Sequence, residues 1–214
     1  MSDHVQQLSV GIDKFRDVIE KFKNKSNIEI ELKIGIFEGG IFKPGLNSKE
    51  FFQRVLDLLN SNKNWTSSNY TKTEDIISDN IRQTGKEKII KTKIYQANFS
   101  YENTPFDFRI TVSEEKPTKE RVIKSKSIKR KKERYSFVHM DYQYDLTTVV
   151  SEINSTKNTT YEFEIELLNL DNDVSDVYRA HSALLKMRDI INCCEKILDE
   201  SKIKLIGETS SLKT

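Results

Sequence analysis

The sequence predicts an α+β fold in which an antiparallel β-barrel or sandwich is packed against helices. Two observations favour this fold: most of residues 65–170 alternate with the two-residue period of β-strands, and both ends of the chain follow the helical period. Many consecutive strands flanked by helices are typical of an antiparallel sheet that closes or stacks on itself.

Length and composition limit the class of protein. A chain of 214 residues suits one domain with a buried core, and we expect residues 1–214 to form a single domain. The formal net charge is only +2, so overall charge does not predict binding to nucleic acid or to a membrane. No apolar run approaches the ~20 residues of a membrane span. The adjacent Cys193 and Cys194 fit a reducing, cytoplasmic compartment, and three scattered histidines disfavour a zinc or Ser–His site.

Helical periodicity predicts three helices. The first covers residues 5–24, the second begins near Asn47, and the third covers about 173–201. We expect Asn47 to cap the second helix because Glu50 follows three residues later. Residues 205–214 are expected to form a tail.

Alternating polarity predicts the strands. One strand covers residues 28–37, and the clearest later runs are 74–83, 87–96, 106–114, 121–139, 140–153 and 161–170. Thr84-Gly85 indicates a hairpin turn, and residues 155–160 indicate a polar hairpin loop.

The first of these strands has an acidic face. Because side chains alternate along a strand, Glu29, Glu31 and Lys33 share one face and apolar residues take the other. Taken alone, such a face could be the solvated surface of an edge strand.

A second strand repeats the pattern with Glu162, Glu164 and Glu166, which lie about 7 Å apart along one face. Glutamate is a poor strand former and like charges repel, so two such strands indicate a shared purpose. If the strands are neighbours, four or five carboxylates converge, and hard oxygen ligands of this kind suit Mg²⁺ or Mn²⁺.

Basic side chains follow one face of residues 124–138. They are Lys124, Lys126, Arg130, Lys132 and Arg134, and two other strands add Arg109, Lys91 and Lys93. Taken alone, this face could be a solvated surface or an RNA-binding patch. If the acidic and basic faces instead point into one barrel, the lumen can hold a metal and a polyanion side by side, and the terminal helices cover the apolar exterior.

These motifs resemble a known family. The Glu29-X-Glu31-X-Lys33 strand resembles the signature of the triphosphate tunnel metalloenzymes, and Glu162-X-Glu164-X-Glu166 resembles their closing strand. The Arg130-X-Lys132-X-Arg134 run and Asp145-Leu146-Thr147 are similar to the metal-dependent RNA triphosphatases of fungi and large DNA viruses, including the N-terminal domain of giant-virus mRNA capping enzymes. The resemblance covers roughly residues 28–170.

The resemblance implies an eight-stranded antiparallel tunnel with a polar interior and helices packed outside. It also implies an enzyme that uses Mg²⁺ or Mn²⁺ to remove the γ-phosphate from the 5′-triphosphate end of RNA, the first step of mRNA capping, and that also hydrolyses nucleoside triphosphates. Two segments, residues 38–42 and 114–123, carry no feature that the resemblance explains.

The resemblance also implies residue roles. Glu29, Glu31 and Glu166 would be metal ligands, Glu164 would orient or deprotonate the attacking water, and Glu162 would support a basic neighbour. The triphosphate would be bound by Arg109, Arg130, Lys132 and Arg134, and less specifically by Lys33, Lys91, Lys93 and Lys126. Arg109 and Arg134 would also act in catalysis, with Asp145 and Thr147 as supporting residues.

Other functions stay open at this point. The same superfamily contains thiamine triphosphatases, adenylyl cyclases and inorganic polyphosphatases, and a non-catalytic RNA-binding module would need only the basic face. A viral capping relative would act in the cytoplasm, in the virion or in a viral factory. Because no Lys-X-Asp-Gly motif of guanylyltransferases occurs, we expect further capping domains beyond Thr214.

Overall fold

A computed structural model describes residues 3–101, 104–122, 127–153, 156–194 and 203–210. The helices are α1 (Asp3–Phe22), α2 (Lys49–Ser61) and α3 (Asp176–Cys194). The strands are β1 (Ile28–Glu38), β2 (Ile41–Pro44), β3 (Ser67–Ser78), β4 (Ile81–Thr84), β5 (Glu87–Tyr101), β6 (Asp107–Pro117), β7 (Ile128–His139), β8 (Tyr142–Ile153), β9 (Thr156–Leu167) and β10 (Ile203–Ser210). No described helix has a stretch both long and apolar enough to cross a bilayer.

Eight of the strands form a closed antiparallel barrel. The order around the ring is β1-β6-β5-β4-β3-β7-β8-β9, and β9 pairs back to β1. The short strand β2 pairs with β1, and β10 pairs with β5, both outside the ring. The predicted eight-stranded barrel is therefore confirmed.

The hydrophobic core lies between the outside of the barrel and the helices. The outward residues of β1, namely Ile30, Leu32 and Ile34, are almost completely buried. Aromatic contacts join helices to strands, with Phe22 of α1 against Tyr95 and Phe52 of α2 against Tyr161 at ring-centroid distances of 5.9 and 5.5 Å. Burying each such side chain contributes about 1.5–3 kcal/mol, so the helices hold the barrel from outside and leave its lumen to polar residues.

The second helix begins one residue later than predicted. Its N-cap is Ser48 and not Asn47, because Ser48 Oγ accepts a hydrogen bond of 3.1 Å from the backbone N–H of Phe51. Asn47 instead adopts a left-handed backbone with φ of 59°, a conformation that asparagine tolerates.

Two predicted strands differ in the structure. The single strand predicted over residues 74–83 is two strands, β3 and β4, joined by a tight turn at Asp79, whose φ is 53°. The strand predicted over residues 121–139 starts only at Ile128, so the prediction was wrong for residues 121, 122 and 127, and residues 123–126 lie outside the described part of the chain.

The C-terminal half also holds corrections. The polar loop predicted over residues 155–160 is mostly strand, since β9 begins at Thr156 and pairs with β8 from its first residue. The predicted tail is also wrong over residues 205–210, which belong to β10 and pair with β5. The third helix begins at Asp176 and is described as far as Cys194.

Candidate active site

The acidic wall of the lumen is formed by β1 and β9, which are neighbours in the barrel. Their register places Glu31 opposite Glu166 and Lys33 opposite Glu164. The ammonium group of Lys33 lies 2.7 Å from Glu31 Oε2 and 2.6 Å from Glu164 Oε1. The two glutamate strands that lie far apart in sequence thus form one surface, with a lysine between two of its carboxylates.

A second lysine, Lys91 of β5, also contacts this wall. It forms an ion pair with Glu29, lies 3.5 Å from Glu31 Oε1, and lies 2.9 Å from Glu115 Oε1 of β6. Lys91 and Lys33 together neutralise part of the negative charge that the glutamates bring into the lumen.

The basic wall is the inner face of β7. Each of its three cations is held by an acidic partner on β3, β8 or β9. The distances are 2.6 Å from Arg130 to Glu162, 2.5 Å from Lys132 to Asp75, and 2.9 Å from Arg134 to Asp145. Because these contacts fix long side chains, the basic groups are oriented before any ligand arrives.

Arg134 has the most extensive support. Its Nε donates to Thr147 Oγ1 at 3.2 Å, and its carboxylate partner Asp145 accepts a 2.6 Å hydrogen bond from Ser136 and another from Gln143. Burial raises the pKa of Asp145 even though Arg134 opposes that rise. The two strands β7 and β8 thus position one guanidinium group in the lumen.

The two walls face a common cavity of about 290 Å³. Glu29, Glu31 and Glu164 line one side of it, and Arg130, Lys132 and Arg134 line another. A cavity of about 320 Å³ adjoins it and shares Glu31, Lys33 and Lys91; Lys93, Arg109, Thr111 and Ser113 also line this second space. The lumen is therefore large enough for a small charged ligand and is lined by both signs of charge.

Burial and close charges shift the pKa values of the acidic wall in opposite directions. Burial opposes ionisation of Glu164, but the attraction of Lys33 outweighs it and lowers the pKa of this carboxyl. At Glu166, burial and the nearby Glu29, Glu31 and Asp145 raise the pKa to about 8. The wall therefore carries more carboxylates than its lysines neutralise.

This excess of carboxylates suits a hard divalent cation, whose preferred ligands are carboxylate oxygens. In the described residues, no three His, Cys, Asp or Glu side chains are grouped closely enough to hold a metal ion. The ammonium groups of Lys33 and Lys91 contact Glu29, Glu31 and Glu164 instead. The donor chemistry of Glu29, Glu31 and Glu166 thus fits a metal, while Glu29 and Glu31 form ion pairs with lysines.

The remaining predicted residues lie in or beside the lumen, with one exception. Arg109 lies opposite Lys33 on β6, and Lys93 donates a 2.6 Å hydrogen bond to Gln96 Oε1. Burial and the nearby Arg109 lower the pKa of Lys93. Lys126 lies outside the described residues.

Sequence reasoning missed three charged residues of the lumen: Asp75, Arg82 and Glu115. Asp75 accepts from Thr84 Oγ1 at 2.7 Å and pairs with Lys132, and Arg82 and Glu115 line the first cavity. Glu115 lies on the same face of β6 as Arg109, because the two residues are an even number of positions apart. Following the alternation from Arg109 to the end of the strand would have identified it. The positions of Asp75 and Arg82 in the lumen could not be predicted without the turn at Asp79, which sets β3 and β4 side by side.

A closed antiparallel barrel whose lumen carries carboxylates and cations in contact defines the class of triphosphate tunnel proteins. The family model for mRNA triphosphatases, described as the mRNA capping enzyme, beta chain, matches residues 49–203, and the chain belongs to this family. The matched residues include the basic wall and β9, whereas β1 precedes them.

The fold is also similar to solved structures of the Pct1 RNA triphosphatase of S. pombe. The structure in complex with the Spt5 CTD is 16% identical in sequence, with a TM-score of 0.65. The structure of Pct1 alone is 15% identical, with a TM-score of 0.66. Each match covers 86% of this chain and 91% of the other. No curated protein sequence matches the chain.

Proposed function

We propose that the protein hydrolyses the γ-phosphate of 5′-triphosphate RNA, leaving a 5′-diphosphate end for mRNA capping, and that the reaction depends on Mg²⁺ or Mn²⁺. Membership of the capping-enzyme family supports the reaction. One observation carries the proposal: the carboxylates of β1 and β9 and the cations of β7 line the same cavity.

The basic residues bind the triphosphate. Arg130, Lys132 and Arg134 project into the cavity from successive inward positions of β7, and Arg109 enters the adjoining space from β6. Guanidinium and ammonium groups form charge-assisted hydrogen bonds to phosphate oxygens, and these bonds strengthen as negative charge builds up on the transferred group. Lys33 and Lys93 line the same adjoining cavity as Arg109 and add positive charge there.

Glu164 orients the attacking water and accepts its proton. Its carboxylate is buried and stays ionised because Lys33 holds its pKa below the ordinary value. Glu162 has a different role, since its Oε1 is bound to Arg130 Nη2 at 2.6 Å and so fixes a phosphate ligand. Asp145 and Thr147 support Arg134 in the same way. Catalysis thus consists mainly of positioning and charge stabilisation, as phosphoryl transfer requires.

Glu29, Glu31 and Glu166 would hold the divalent ion. When bound, such an ion polarises a γ-phosphate oxygen and neutralises developing charge. The raised pKa of Glu166 supports this assignment, because a cation beside it would offset both the burial and the repulsion by Glu29 and Glu31 that raise that pKa.

Further features of the proposal come from the sequence resemblance. We expect hydrolysis of free nucleoside triphosphates as a side activity, further capping domains C-terminal to this chain, and a viral origin with action in the cytoplasm, virion or viral factory. These stay predictions.

A comparison of substrates tests the proposal. Purified protein with Mg²⁺ or Mn²⁺ is given triphosphate-ended RNA, thiamine triphosphate and inorganic tripolyphosphate, and phosphate release is measured for each. The highest kcat/KM is expected for the RNA. Arg134→Ala should lower that value at least tenfold, whereas Lys72→Ala, on an exposed outward position of β3, should leave it unchanged.

Preferential hydrolysis of thiamine triphosphate or tripolyphosphate would reassign the substrate within the same class. Tight, steeply salt-dependent RNA binding without phosphate release would instead indicate a non-catalytic polyanion-binding module.

A further inference from the structure

The β1–β2 hairpin brings an aromatic ring to one end of the lumen. Its turn is formed by Gly39 and Gly40, both with positive φ, and the register pairs Phe37 with Phe42 and Gly35 with Pro44. Gly35 lies on the same face of β1 as Glu31 and Lys33, which is the inner face of the barrel. Its pair partner Pro44, and Phe42 two residues before Pro44, therefore lie on the inner face too. The inner face of β1 thus changes from charged to apolar at Gly35.

Gly35 leaves the space that the ring of Phe42 fills. A Cβ atom at Gly35 would lie 2.6 Å from Phe42 Cζ and 2.3 Å from the carbonyl oxygen of Lys43, so no larger residue fits without moving the hairpin. Phe42 is only 7% exposed, whereas Ile41, its neighbour on the same strand, is 65% exposed. The hairpin therefore fixes this ring against β1.

The ring lies against the guanidinium group of Arg109. Arg109 Cζ is 4.3 Å from the centroid of Phe42, and Arg109 Nε donates a 2.7 Å hydrogen bond to Asn98 Oδ1. The negative face of an aromatic ring attracts a cation at this distance. Arg109, Phe42, Lys33 and Lys93 line the same cavity.

Arg109 differs from five of the other basic residues of the lumen in what holds it. Lys33, Lys91, Arg130, Lys132 and Arg134 each contact a carboxylate. No carboxylate lies within ion-pair distance of Arg109 in the described part of the chain, where its contacts are an amide oxygen and a ring. The pKa of Arg109 is lowered by partial burial, as expected for a half-buried cation without an anionic partner among the described residues.

We propose that Phe42 is a positioning residue that holds Arg109, together with Asn98, in the orientation for binding a polyphosphate. This inference rests on the proposed function in taking a polyphosphate as the ligand. A carboxylate in the place of Phe42 would also orient Arg109, but it would compete with phosphate oxygens for the same donors. A ring fixes the guanidinium group and leaves its charge available to an anion.

The test measures both the affinity for inorganic tripolyphosphate by calorimetry and kcat/KM for triphosphate-ended RNA. Phe42→Leu removes the aromatic face, and pentafluorophenylalanine in place of Phe42 keeps the packing while reversing the charge of the ring face. Each is expected to weaken tripolyphosphate binding roughly three- to tenfold, the range of a partly desolvated cation–π contact.

The decisive comparison repeats these changes in an Arg109→Ala background. Since Phe42 acts through Arg109, its replacement should have no further effect there, and an additive loss would overturn the inference. Ile41→Ala is the matched control, because it changes the same hairpin at an exposed position and should alter neither quantity. Unfolding temperatures identify any variant that only loosens the hairpin, and the fluorinated ring keeps the test valid if Phe42→Leu fails to fold.

The outcomes separate this inference from the proposed function. Active enzyme that is weakened by Arg109→Ala but unaffected by the fluorinated ring would overturn the role of Phe42 and leave the function standing. The effects of replacing Phe42 and Arg109 on tripolyphosphate binding could be non-additive in a protein that does not hydrolyse RNA ends. That result would support the role of Phe42 and overturn the function. A wild-type protein that binds no tripolyphosphate would overturn both.

Discussion

The ammonium group of Lys33 lies 2.6 Å from Glu164 and directly opposite it on the neighbouring strand, while also contacting Glu31 at 2.7 Å. Burial by itself would lower the pKa of Lys33, but Glu164 and Glu31 outweigh that effect and raise it, so this lysine stays charged. One cation thus contacts two carboxylates at the centre of the acidic wall and holds the pKa of Glu164 below its ordinary value.

Replacing Lys33 by methionine should therefore destabilise the fold. Without the lysine, two buried carboxylates repel each other with no cation between them, and the free energy of unfolding should fall by roughly 3 kcal/mol. Saturating Mg²⁺ should recover more stability in Lys33→Met than in wild type, because the ion takes over the missing charge. Urea unfolding with and without Mg²⁺ measures both effects.

The control for that experiment is Lys43→Met, which removes a cation from an exposed ion pair with Glu38. It should change stability little, since exposed pairs contribute little. Equal stability of Lys33→Met and wild type in metal-free buffer would contradict the account of the acidic wall.

A second prediction concerns the support of Arg134. Asp145→Asn keeps the shape of the side chain but removes the charge that holds the guanidinium group, 2.9 Å away. Hydrogen bonds to charged groups contribute about 1.5–3 kcal/mol, so kcat/KM for triphosphate-ended RNA should fall roughly ten- to a hundredfold. Thr147→Val should have a smaller effect in the same direction, since it removes one acceptor.

Steady-state kinetics measures these losses, and Glu152→Gln, at an exposed position of the same strand, provides the matched control. A full rate in Asp145→Asn, with unchanged stability, would show that Arg134 needs no carboxylate partner.

A third prediction concerns Arg179, which is buried on α3 and holds the loop that follows β9. Its guanidinium group donates to the carbonyl oxygens of Asn169, Leu170 and Asn172 and to Asp176, and its own carbonyl accepts from Tyr142. Arg179→Met should lower the free energy of unfolding by about 3–5 kcal/mol, because these acceptors lose their shared donor.

Urea unfolding measures that change, with Arg16→Met as a control that should leave the unfolding curve close to wild type, because the ion pair of Arg16 with Asp17 is open to solvent. Since Arg179 does not line the lumen cavities, kcat should be unchanged at temperatures where the variant is folded. A wild-type unfolding curve for Arg179→Met would show that the loop does not depend on it.

Strict alternation made the glutamate strands predictable from sequence. Residues 28–34 alternate without interruption, so the faces of Glu29, Glu31 and Lys33 follow from the period of a strand alone. The partner of each strand does not follow from the period. That Lys33 lies opposite Glu164 depends on a register across more than 130 residues, which the structure provides.

The errors have physical causes of the same kind. The tail prediction failed at β10 because that strand forms only by pairing with β5. The short strand β4 pairs with β5 only as far as Ile90, so the edge of β5 beyond Ile90 is open for β10. This pairing is non-local and does not follow from the sequence of the tail. The break between β3 and β4 was missed because apolar residues on both sides of Asp79 continue a strand pattern. Ser48 and Asn47 are both good capping residues, and only the backbone conformation distinguishes them.

The Phe42–Arg109 contact could not be predicted from the sequence either. Residues 38–42 carried no signal that the sequence resemblance could explain, since two glycines, an isoleucine and a phenylalanine form an ordinary hairpin turn. The absence of a side chain at Gly35 becomes meaningful only when the hairpin folds back and fills that space with a ring.

The central claim is that the carboxylates of the acidic wall support metal-dependent triphosphate hydrolysis. Release of labelled phosphate from γ-labelled triphosphate-ended RNA, with and without Mg²⁺, tests it most directly in wild type and in folded Glu31→Ala and Glu166→Ala variants. We predict release that requires the metal and falls by at least a hundredfold in each variant. Release without any divalent metal, or near-normal release from either variant, would contradict the account.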